Sequence, residues 1–479
     1  MNNVCELAAG VARADITPPA GIAHANWGAQ THEQAAGVDR PLYATALALG
    51  NGEPVVIVDL DILYLPPADA ARIRSAVAVT ADVPTTNVRL SATHTHSGPT
   101  LSRDTWADAG SDRIGPYVDT LEQHVTGVAW QAIRERQPAR IAVGSATCEI
   151  AVNRRFHRPE DDAVIVGRNP DGPVDHTVGI LRIDSVSEGS DQLRTTPLAT
   201  IFHYACHPIT VGPDNDLVTP DYPGVAKQTV ADATGSVPVF LQGAAGDIGP
   251  IRGVARGGID EYAILGRRLG YAVSQTWWAL DPSNRTDRYD TTLPSGAPLA
   301  VYHPTYDDPE AGSVEVHTRE IVLPLRSFPD AEQARETYEQ CADALSALRE
   351  RGADAATIQQ AAAETRQAEI QAALADRYAD SATEAVELHV VTIGADIALV
   401  AMPGEPFVEI QQSIHDASPF ATTLFSGYTN IGTGYLPTAD AYPAGGYEID
   451  VTPYAPAAAD TLVDETLAVL SDLADHEHA

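Results

Sequence analysis

Apolar runs alternate with helical patterns along the first half of the chain, and this alternation constrains the fold more than any other feature. Four runs have the composition of strands buried in a sheet: residues 54–62, 88–93, 198–204 and 237–242. Helical spacing occurs between and after them, at residues 66–79, 117–136, 224–233 and 261–280. The sequence therefore predicts an α/β fold, with a mixed multi-stranded sheet core flanked by helices.

The second half departs from this alternation. Residues 281–316 are rich in Pro, Tyr, Asp and Gly, which predicts a long excursion. Residues 330–382 are rich in Ala, Glu, Gln and Arg with helical spacing that breaks near Gly352, which predicts a helical hairpin. After further strands we interpret residues 403–406 as the start of a helix and residues 427–446 as a loop. No repeat or low-complexity linker divides the chain, so we expect one α/β unit.

The charge balance is strongly acidic. The chain has 65 Asp and Glu against 30 Lys and Arg, a formal net charge of −35, and Lys227 is its only lysine. Such a chain repels itself in dilute buffer, and salt screens the repulsion within about 3 Å at 1 M. We therefore predict a halophile's protein, the alternative being an ordinary acidic protein of a mesophile. No basic patch is available to neutralise phosphates, so nucleic acid is not an expected partner.

The chain carries no pattern typical of export or of membrane insertion. No stretch approaches ~20 consecutive apolar residues, and residues 1–7 lack the basic and apolar regions of a secretory signal. The cysteines at positions 5, 148, 206 and 341 are scattered and form no CxxC pair, which favours free thiols in a reducing compartment. We expect a cytoplasmic protein with no stable membrane insertion.

Histidines stand where two of the predicted strands end. His94 and His96 follow the run at 88–93, and alternate positions of an extended segment point the same way. His207 follows the run at 198–204 in the same manner. Because ligands of open α/β sheets bind beyond the carboxyl ends of strands, these three side chains are candidate metal ligands. The commoner fate of a lone histidine is burial with a backbone hydrogen bond, and His203, inside the strand, fits that description.

Further polar residues lie in turns that we expect near the same edge. Glu405 follows a strand and a glycine turn that would point it at the histidines, although an acid at a helix start also compensates the helix dipole. Tyr435 and Tyr447 lie in or beside a loop whose glycines allow close backbone approach, where tyrosines also serve as packing residues. Asp247 can orient a histidine or cap its own turn.

Seven motifs occur in a fixed order along nearly the whole chain. The most specific, residues 91–99, reads Ser-Ala-Thr-His-Thr-His-Ser-Gly-Pro. The others are GVARADIT at 10–17, NRR at 153–155, QGAAGD at 242–247, PGE at 403–405, GY at 434–435 and YE at 447–448. The set resembles that of the neutral (non-lysosomal) ceramidase family, in the form of an acidic, haloarchaeal-type member that has the catalytic domain only.

This resemblance implies a zinc-dependent hydrolase. The metal ligands that it implies are His94, His207, Glu405 and Tyr435. The residues that it places at the reacting centre are His96, Arg154 and Tyr447. Nitrogen and oxygen donors suit Zn²⁺, which lowers the pKa of a bound water toward ~7 and polarises a carbonyl. A cation and hydrogen-bond donors would stabilise the oxyanion of the reaction.

Two departures from the family pattern affect the expected substrate and the domain organisation. The family has a serine at the reacting centre, in a Gly-Asp-x-Ser-Pro-Asn segment, where this chain has Gly249. Family members also carry a C-terminal immunoglobulin-like domain, which we expect to be missing here. Residues 1–479 would then form a single catalytic domain, with a helical insertion at about 329–382. We expect it to cleave a carbon–nitrogen amide bond with metal-activated water, in a small-molecule substrate other than ceramide.

Two alternatives remain from the sequence. The first is a zinc esterase or lactonase that uses the same site, because the same water attacks either carbonyl. The second is a catalytically silent metal-binding protein that lost its chemistry with the family serine. Retention of all the implied ligands, together with His96, Arg154 and Tyr447, argues against the second alternative.

Overall fold

The computed structural model describes residues 4–30, 32–103, 105, 107–188, 193–253, 259–306, 309–430 and 432–477. The helices among them are α1 (Pro67–Ala81), α2 (Ile114–Arg134), α3 (Asp221–Thr234), α4 (Ile259–Ala279), α5 (Ala331–Glu350), α6 (Ala355–Tyr378), α7 (Val408–Ala417), α8 (Tyr447–Val451) and α9 (Ala458–Glu477). The strands are β1 (Val4–Asp15), β2 (Gly37–Val38), β3 (Tyr43–Leu49), β4 (Val55–Leu60), β5 (Val88–Ala92), β6 (Gln137–Thr147), β7 (Ala151–His157), β8 (Val164–Asn169), β9 (Thr177–Glu188), β10 (Leu193–Tyr204), β11 (Leu217–Val218), β12 (Val237–Gln242), β13 (Ile248–Pro250), β14 (Arg285–Leu293), β15 (Leu299–Tyr306), β16 (Glu310–Ala311), β17 (Val314–Pro324), β18 (Thr383–Ile393), β19 (Ile397–Ala401), β20 (Glu405–Pro406), β21 (Thr422–Ser426) and β22 (Tyr435–Leu436).

The largest sheet combines parallel and antiparallel pairs. Its strand order is β12-β10-β9-β6-β1-β3-β4-β5. The pairs β4–β5 and β10–β12 are parallel, and the neighbours between them are antiparallel. Its strands alternate between two cores, as β4 illustrates: Val56 and Val58 face one and Val55 and Ile57 the other. The predicted α/β fold with a mixed sheet core is confirmed.

Four layers of secondary structure surround three hydrophobic cores. Helices α1 to α4 pack on one face of the largest sheet. A second sheet, with strand order β17-β18-β19-β21, packs on the opposite face, where Leu47 and Leu399 belong to the same core. Helices α7 and α9 cover the outer face of this second sheet with Ile410 and Leu462. The layer order is therefore helices, sheet, sheet, helices.

The largest sheet curls so that strands from its two halves meet. The backbone N–H of Phe240 in β12 donates to Asp59 of β4 at 3.1 Å, although β12 lies at one end of the strand order and β4 near the other. The ammonium group of Lys227, the single lysine, donates to Asp59 at 2.9 Å and to Asp61 at 2.6 Å, and all three side chains are buried. This curl brings the carboxyl ends of β5 and β10 to one place.

Two helices form the predicted hairpin in the second half of the chain. Side chains of Asp330 and Asp354 accept hydrogen bonds from backbone N–H groups at the starts of α5 and α6. An ion pair of 2.9 Å between Arg335 and Asp376 joins the start of α5 to the end of α6, as expected of antiparallel helices. Among the described residues, no helix is sufficiently long and apolar to cross a membrane. The four cysteines are free thiols in this structure.

The excursion predicted at residues 281–316 is largely an exposed hairpin, so the prediction was wrong only in missing its strands. This segment contains the hairpin of β14 and β15, the short strand β16 and the start of β17. The side chains of β14 are exposed along its whole length, so its sequence carries no alternation of apolar and polar residues. A strand that buries nothing leaves no periodic signal to detect.

The prediction of a helix start at residues 403–406 was also wrong. Glu405 and Pro406 form β20, which pairs in parallel with Tyr435 and Leu436 of β22 inside the segment interpreted as a loop, and helix α7 begins only at Val408. Gly404 permits this pairing because its φ is +84° and a Cβ there would approach the carbonyl oxygen of Gly434 within 2.7 Å. Glu405 is therefore positioned by a strand pair and not by a helix dipole.

Candidate metal centre

His94, His207 and Glu405 reach one site from three different strands. His94 follows β5, His207 follows β10, and Glu405 follows β19 after a glycine turn. The backbone of His94 is in the left-handed region with φ of 68°, a conformation that costs a non-glycine residue free energy and persists where the surroundings enforce it. Backbone bonds to the segment after β4 enforce it, since His94 N–H donates to the Ile62 carbonyl at 2.9 Å.

Three imidazoles converge on the site, and each is held through the same ring nitrogen. The Nδ1 atoms of His94, His96 and His207 each contact a backbone carbonyl, of Leu63 at 2.9 Å, of Asn26 at 3.0 Å and of Ala245 at 2.5 Å respectively. A carbonyl oxygen only accepts, so each Nδ1 carries the hydrogen and each neutral ring keeps its lone pair on Nε2. Metal-binding histidines are commonly oriented by such bonds. The ligand atoms of the three rings lie within 4.8 Å of one another.

The carboxylate of Glu405 lies against two of these rings. Its Oε2 is 3.4 Å from Nε2 of His94 and 3.2 Å from Nε2 of His207, and the two Nε2 atoms are 3.2 Å apart. Neither Oε2 of Glu405 nor Nε2 of His96 has a hydrogen-bond partner among the described residues, and both atoms are buried. Buried polar atoms without partners are uncommon in proteins. Lone pairs facing a carboxylate in this way fit a site for a divalent cation.

The electrostatics of the site keep the ligand atoms in the form that binds a metal. Burial lowers the pKa of His207 to about 3, an effect that the nearby charge of Arg154 increases. Burial likewise lowers the pKa of His96 well below its ordinary value. For Glu405 burial acts to raise the pKa of the carboxyl, but its contacts with His94 and His207 outweigh burial and hold the pKa well below the usual range. At neutral pH the site therefore offers the neutral imidazoles of His96 and His207 and the ionised carboxylate of Glu405.

A second polar group adjoins the histidines. Arg154 donates from Nη2 to the hydroxyl of Tyr435 at 3.0 Å and from Nε to Glu448 at 2.9 Å. Arg155 donates to the other oxygen of Glu448 at 3.1 Å. The ring of Tyr435 stacks on that of His207 with 6.5 Å between centroids, and the ring of Tyr447 meets Tyr435 edge to face at 5.8 Å. The structure thus gathers all seven site residues predicted from the sequence.

The family follows from a comparison with known proteins. Residues 7–253 match the model of the family described as neutral/alkaline non-lysosomal ceramidase, N-terminal, which is more than half of the chain. The chain belongs to this ceramidase family. No curated protein matches the chain.

Solved ceramidase structures share the fold. Neutral ceramidase from Pseudomonas aeruginosa superimposes with a TM-score of 0.66 at 18% identity, covering 98% of this chain and 75% of that chain. A structure described as ceramidase complexed with C2 gives a TM-score of 0.65 at 17% identity, covering 98% of this chain and 76% of that one. At this level of identity the likeness to the solved ceramidases shows a shared fold, and it assigns no role to any residue of this chain.

The position of the ceramidase family's serine is open in this chain. Gly249 lies in β13, which pairs with Val152 of β7 next to Arg154. A Cβ at Gly249 would meet Arg154 at 3.4 Å and Ile209 at 3.8 Å, which are ordinary contact distances, and its φ lies outside the left-handed region. A Cβ therefore fits at this position, in contact with Arg154, without a clash or backbone strain.

Asp247 and His203 both have structural partners. The carboxylate of Asp247 accepts from the N–H of Val408 at the start of α7 at 2.9 Å and from the amide of Asn153 at 2.9 Å. These bonds match neither predicted role, because they go to the start of a distant helix and to Asn153 and not to a histidine or to the turn that contains Asp247. His203 is buried with its Nε2 at 3.2 Å from Gln411, as expected for a histidine inside a strand.

The sequence assigned no role to three residues of the site, Tyr428, Trp27 and Glu448. The ring of Tyr428 lies 4.3 Å from that of His94, and its buried hydroxyl has no hydrogen-bond partner among the residues described. The ring of Trp27 lies 5.0 Å from that of His96. Glu448 holds both Arg154 and Arg155. Only Glu448 had a signal available, since it directly follows Tyr447 in the YE motif.

Proposed function

We propose that the protein is a zinc-dependent hydrolase that cleaves a carbon–nitrogen amide bond. One observation carries the proposal: Nε2 of His94 and Nε2 of His207 face the carboxylate of Glu405 inside the protein, at 3.4 and 3.2 Å, while Nδ1 of each ring contacts a backbone carbonyl. Lone pairs and a carboxylate repel one another when buried together, and a cation between them removes the repulsion. Two imidazoles and one carboxylate are a common protein ligand set of catalytic zinc.

In this proposal His94, His207 and Glu405 hold the zinc ion, and the hydroxyl of Tyr435 completes the ligand set. We assign His96 to catalysis because the carboxylate of Glu405 already contacts both of the other rings. Burial raises the pKa of the Tyr435 phenol well above its ordinary value, so its ligation requires the positive charge of the metal. The stacking of Tyr435 on His207 supports its inclusion.

The remaining polar residues have separate roles in the proposed reaction. When bound, zinc lowers the pKa of a coordinated water toward ~7 and polarises a substrate carbonyl. Burial lowers the pKa of the Arg154 guanidinium, but Tyr435, Glu448 and Glu405 outweigh that effect and raise it, so Arg154 is a permanent cation there. Arg154 would stabilise the negative charge that develops on the carbonyl oxygen.

His96 and Tyr447 are the proposed groups for proton transfer and hydrogen bonding. The Nε2 of His96 is buried without a hydrogen-bond partner among the described residues, so its lone pair can accept a hydrogen bond from the attacking water and orient it. Partial burial raises the pKa of Tyr447 to about 12, an effect that the charge of Glu405 increases, so its hydroxyl stays protonated and can donate a hydrogen bond.

The proposed substrate is bulkier near its carbonyl than ceramide. Gly249 leaves open the volume that a side chain could occupy beside Arg154, at 3.4 Å from its Cβ. A substrate group next to the carbonyl could fill that volume. We further propose that residues 1–479 form a single catalytic domain. The net charge of −35 supports the proposal that this domain works in the salt-rich cytoplasm of a halophile.

A substrate panel tests the proposed reaction. Protein stripped of metal and then reloaded with one equivalent of Zn²⁺ is assayed in molar KCl against N-acyl amides, esters and lactones. We expect amide cleavage that the stripped protein lacks and that His207→Ala abolishes, while His415→Ala, an exposed histidine, retains it. Cleavage of esters or lactones without amides would reassign the enzyme to that class. No cleavage of any substrate would favour a silent metal-binding protein.

A further inference from the structure

A second pair of histidines lies beside the metal centre, in the segment between β1 and β2. Nδ1 of His24 is 2.9 Å from Nε2 of His32, and the two rings stack with 5.2 Å between centroids and 20° between planes. The side-chain amide of Gln30 contacts both ring nitrogens and the backbone carbonyl of His24. Three nitrogen-bearing side chains therefore converge on one point.

The pair combines a buried member with an accessible one. His24 is 1% exposed and Gln30 is 8% exposed, whereas His32 is only half-buried. The second nitrogen of His24, Nε2, is buried and has no hydrogen-bond partner among the described residues. The exposed carboxylates Asp214 and Asp216 lie close enough that their charges act on His32.

We propose that His24 and His32 form a second binding site, for a divalent transition-metal ion that prefers imidazole ligands. Two nitrogen ligands, each ~2.0–2.1 Å from a metal, stand about 2.9 Å apart when the angle at the metal is 90°. The observed 2.9 Å matches that arrangement. Right-angled nitrogen and oxygen coordination is typical of Ni²⁺ and Cu²⁺, and imidazole also binds Zn²⁺. Water would occupy the other ligand positions.

The second site is connected to the first through the backbone. The carbonyl of Asn26 accepts the Nδ1 hydrogen of His96 at 3.0 Å, and the N–H of Ala25 donates to Thr100 at 2.8 Å. An ion held by His24 and His32 would fix the segment that orients His96. The proposed second site rests on the geometry of its own residues and stands whether or not the first site binds zinc.

Metal titration of four proteins tests this proposal. Chelator-stripped wild type, His32→Ala, His207→Ala and the exposed control His415→Ala are titrated with Ni²⁺ and with Zn²⁺ in molar KCl by calorimetry. We expect two binding events in the wild type and in the control. His32→Ala should lose only the weaker event, by more than about 100-fold in affinity, because even indirect changes near metal ligands cost about 10–100-fold. His207→Ala should lose only the tighter event.

The design separates this site from the first one and from misfolding. His32 is half-buried, so its replacement should leave the thermal melt equal to that of the control, and His32→Gln repeats the test with a side chain of similar size. If His32→Ala and His32→Gln bind both metals as the wild type does, the proposal is overturned. It is equally overturned if the wild type binds a single ion that only His207→Ala removes.

Discussion

Replacing Arg154 by alanine should reduce kcat far more than the accompanying loss of folding stability explains. Arg154 donates to the hydroxyl of Tyr435 at 3.0 Å and to Glu448 at 2.9 Å, and all three side chains are buried. A hydrogen bond to a charged group contributes about 1.5–3 kcal/mol. Glu448 keeps its bond to Arg155 at 3.1 Å, so the loss should stay below the ~3–5 kcal/mol of a fully broken buried ion pair. We expect a destabilisation of about 2–3 kcal/mol.

The effect on kcat should be larger and separable. Loss of one group that stabilises the oxyanion typically costs about 10²–10³ in kcat, equivalent to about 2.7–4 kcal/mol. Arg155→Ala is the matched control, because Arg155 shares Glu448 and also bonds the backbone of Ala441 and Gly445 but does not contact Tyr435. It should destabilise the protein at least as much and leave kcat within a few-fold of the wild type.

Both quantities are measured on one preparation of each variant. Urea denaturation in molar KCl gives the free energy of unfolding, and steady-state kinetics on the best substrate of the panel gives kcat, with metal content determined alongside. Equal losses of kcat in the two variants would mean that Arg154 acts only through the packing of Glu448. Unchanged kcat in Arg154→Ala would refute its assignment to the reacting centre.

Three further predictions concern salt, acid and the space at Gly249. The melting temperature should rise with KCl because screening reduces the self-repulsion of a −35 chain, and a flat or falling series would contradict the halophile proposal. Burial lowers the pKa of His389 to about 3, and the charge of Arg89 adds to this effect. The contribution of His389 to the free energy of unfolding is therefore fully present above pH ~6.5 and is lost as the pH falls toward 3. The wild type should lose free energy of unfolding between pH 7 and pH 5, and His389→Gln should make that loss smaller by up to about 2 kcal/mol in urea titrations at the two pH values. An equal loss in the wild type and the variant would count against a neutral buried His389. Gly249→Ser should fold with wild-type stability, since its Cβ contacts are no closer than 3.4 Å. It should lower kcat/KM for substrates that are bulky beside the carbonyl more than for slim ones. Equal effects on bulky and slim substrates would contradict the proposal that Gly249 accommodates a bulky substrate.

The sequence predicts the parts of this fold that are buried. Strands such as β4 and β12 are apolar runs, and the histidines after β5 and β10 could be placed because carboxyl ends of strands share an edge. Glu405 could be placed near the histidines because it follows a strand and a glycine turn, but the two-residue strand to which it belongs was not predicted. Pairs this short depend on a distant partner, here Tyr435, that no local pattern reveals.

Other features left no local trace because they depend on tertiary contacts. Strand β14 is exposed throughout, so it lacks periodicity. The approach of Tyr428 to His94 is produced by a loop from the second sheet, where Thr429 pairs with Ser91 of β5. The Nδ1 bonds that orient the imidazoles go to carbonyls of Leu63, Asn26 and Ala245, in three separate segments. Backbone carbonyls occur in every residue, so no residue type could have indicated these bonds.

The most direct test of a zinc centre is a crystal structure with anomalous diffraction recorded on both sides of the zinc absorption edge. We predict a zinc peak about 2.0–2.2 Å from Nε2 of His94, Nε2 of His207 and a carboxylate oxygen of Glu405, with Tyr435 as the fourth protein ligand. A peak held by His94, His96 and His207, with Glu405 apart from it, would contradict the proposed ligand set. Absence of any peak in zinc-loaded crystals, with the three imidazoles in their present positions, would contradict the account of the site as a metal centre.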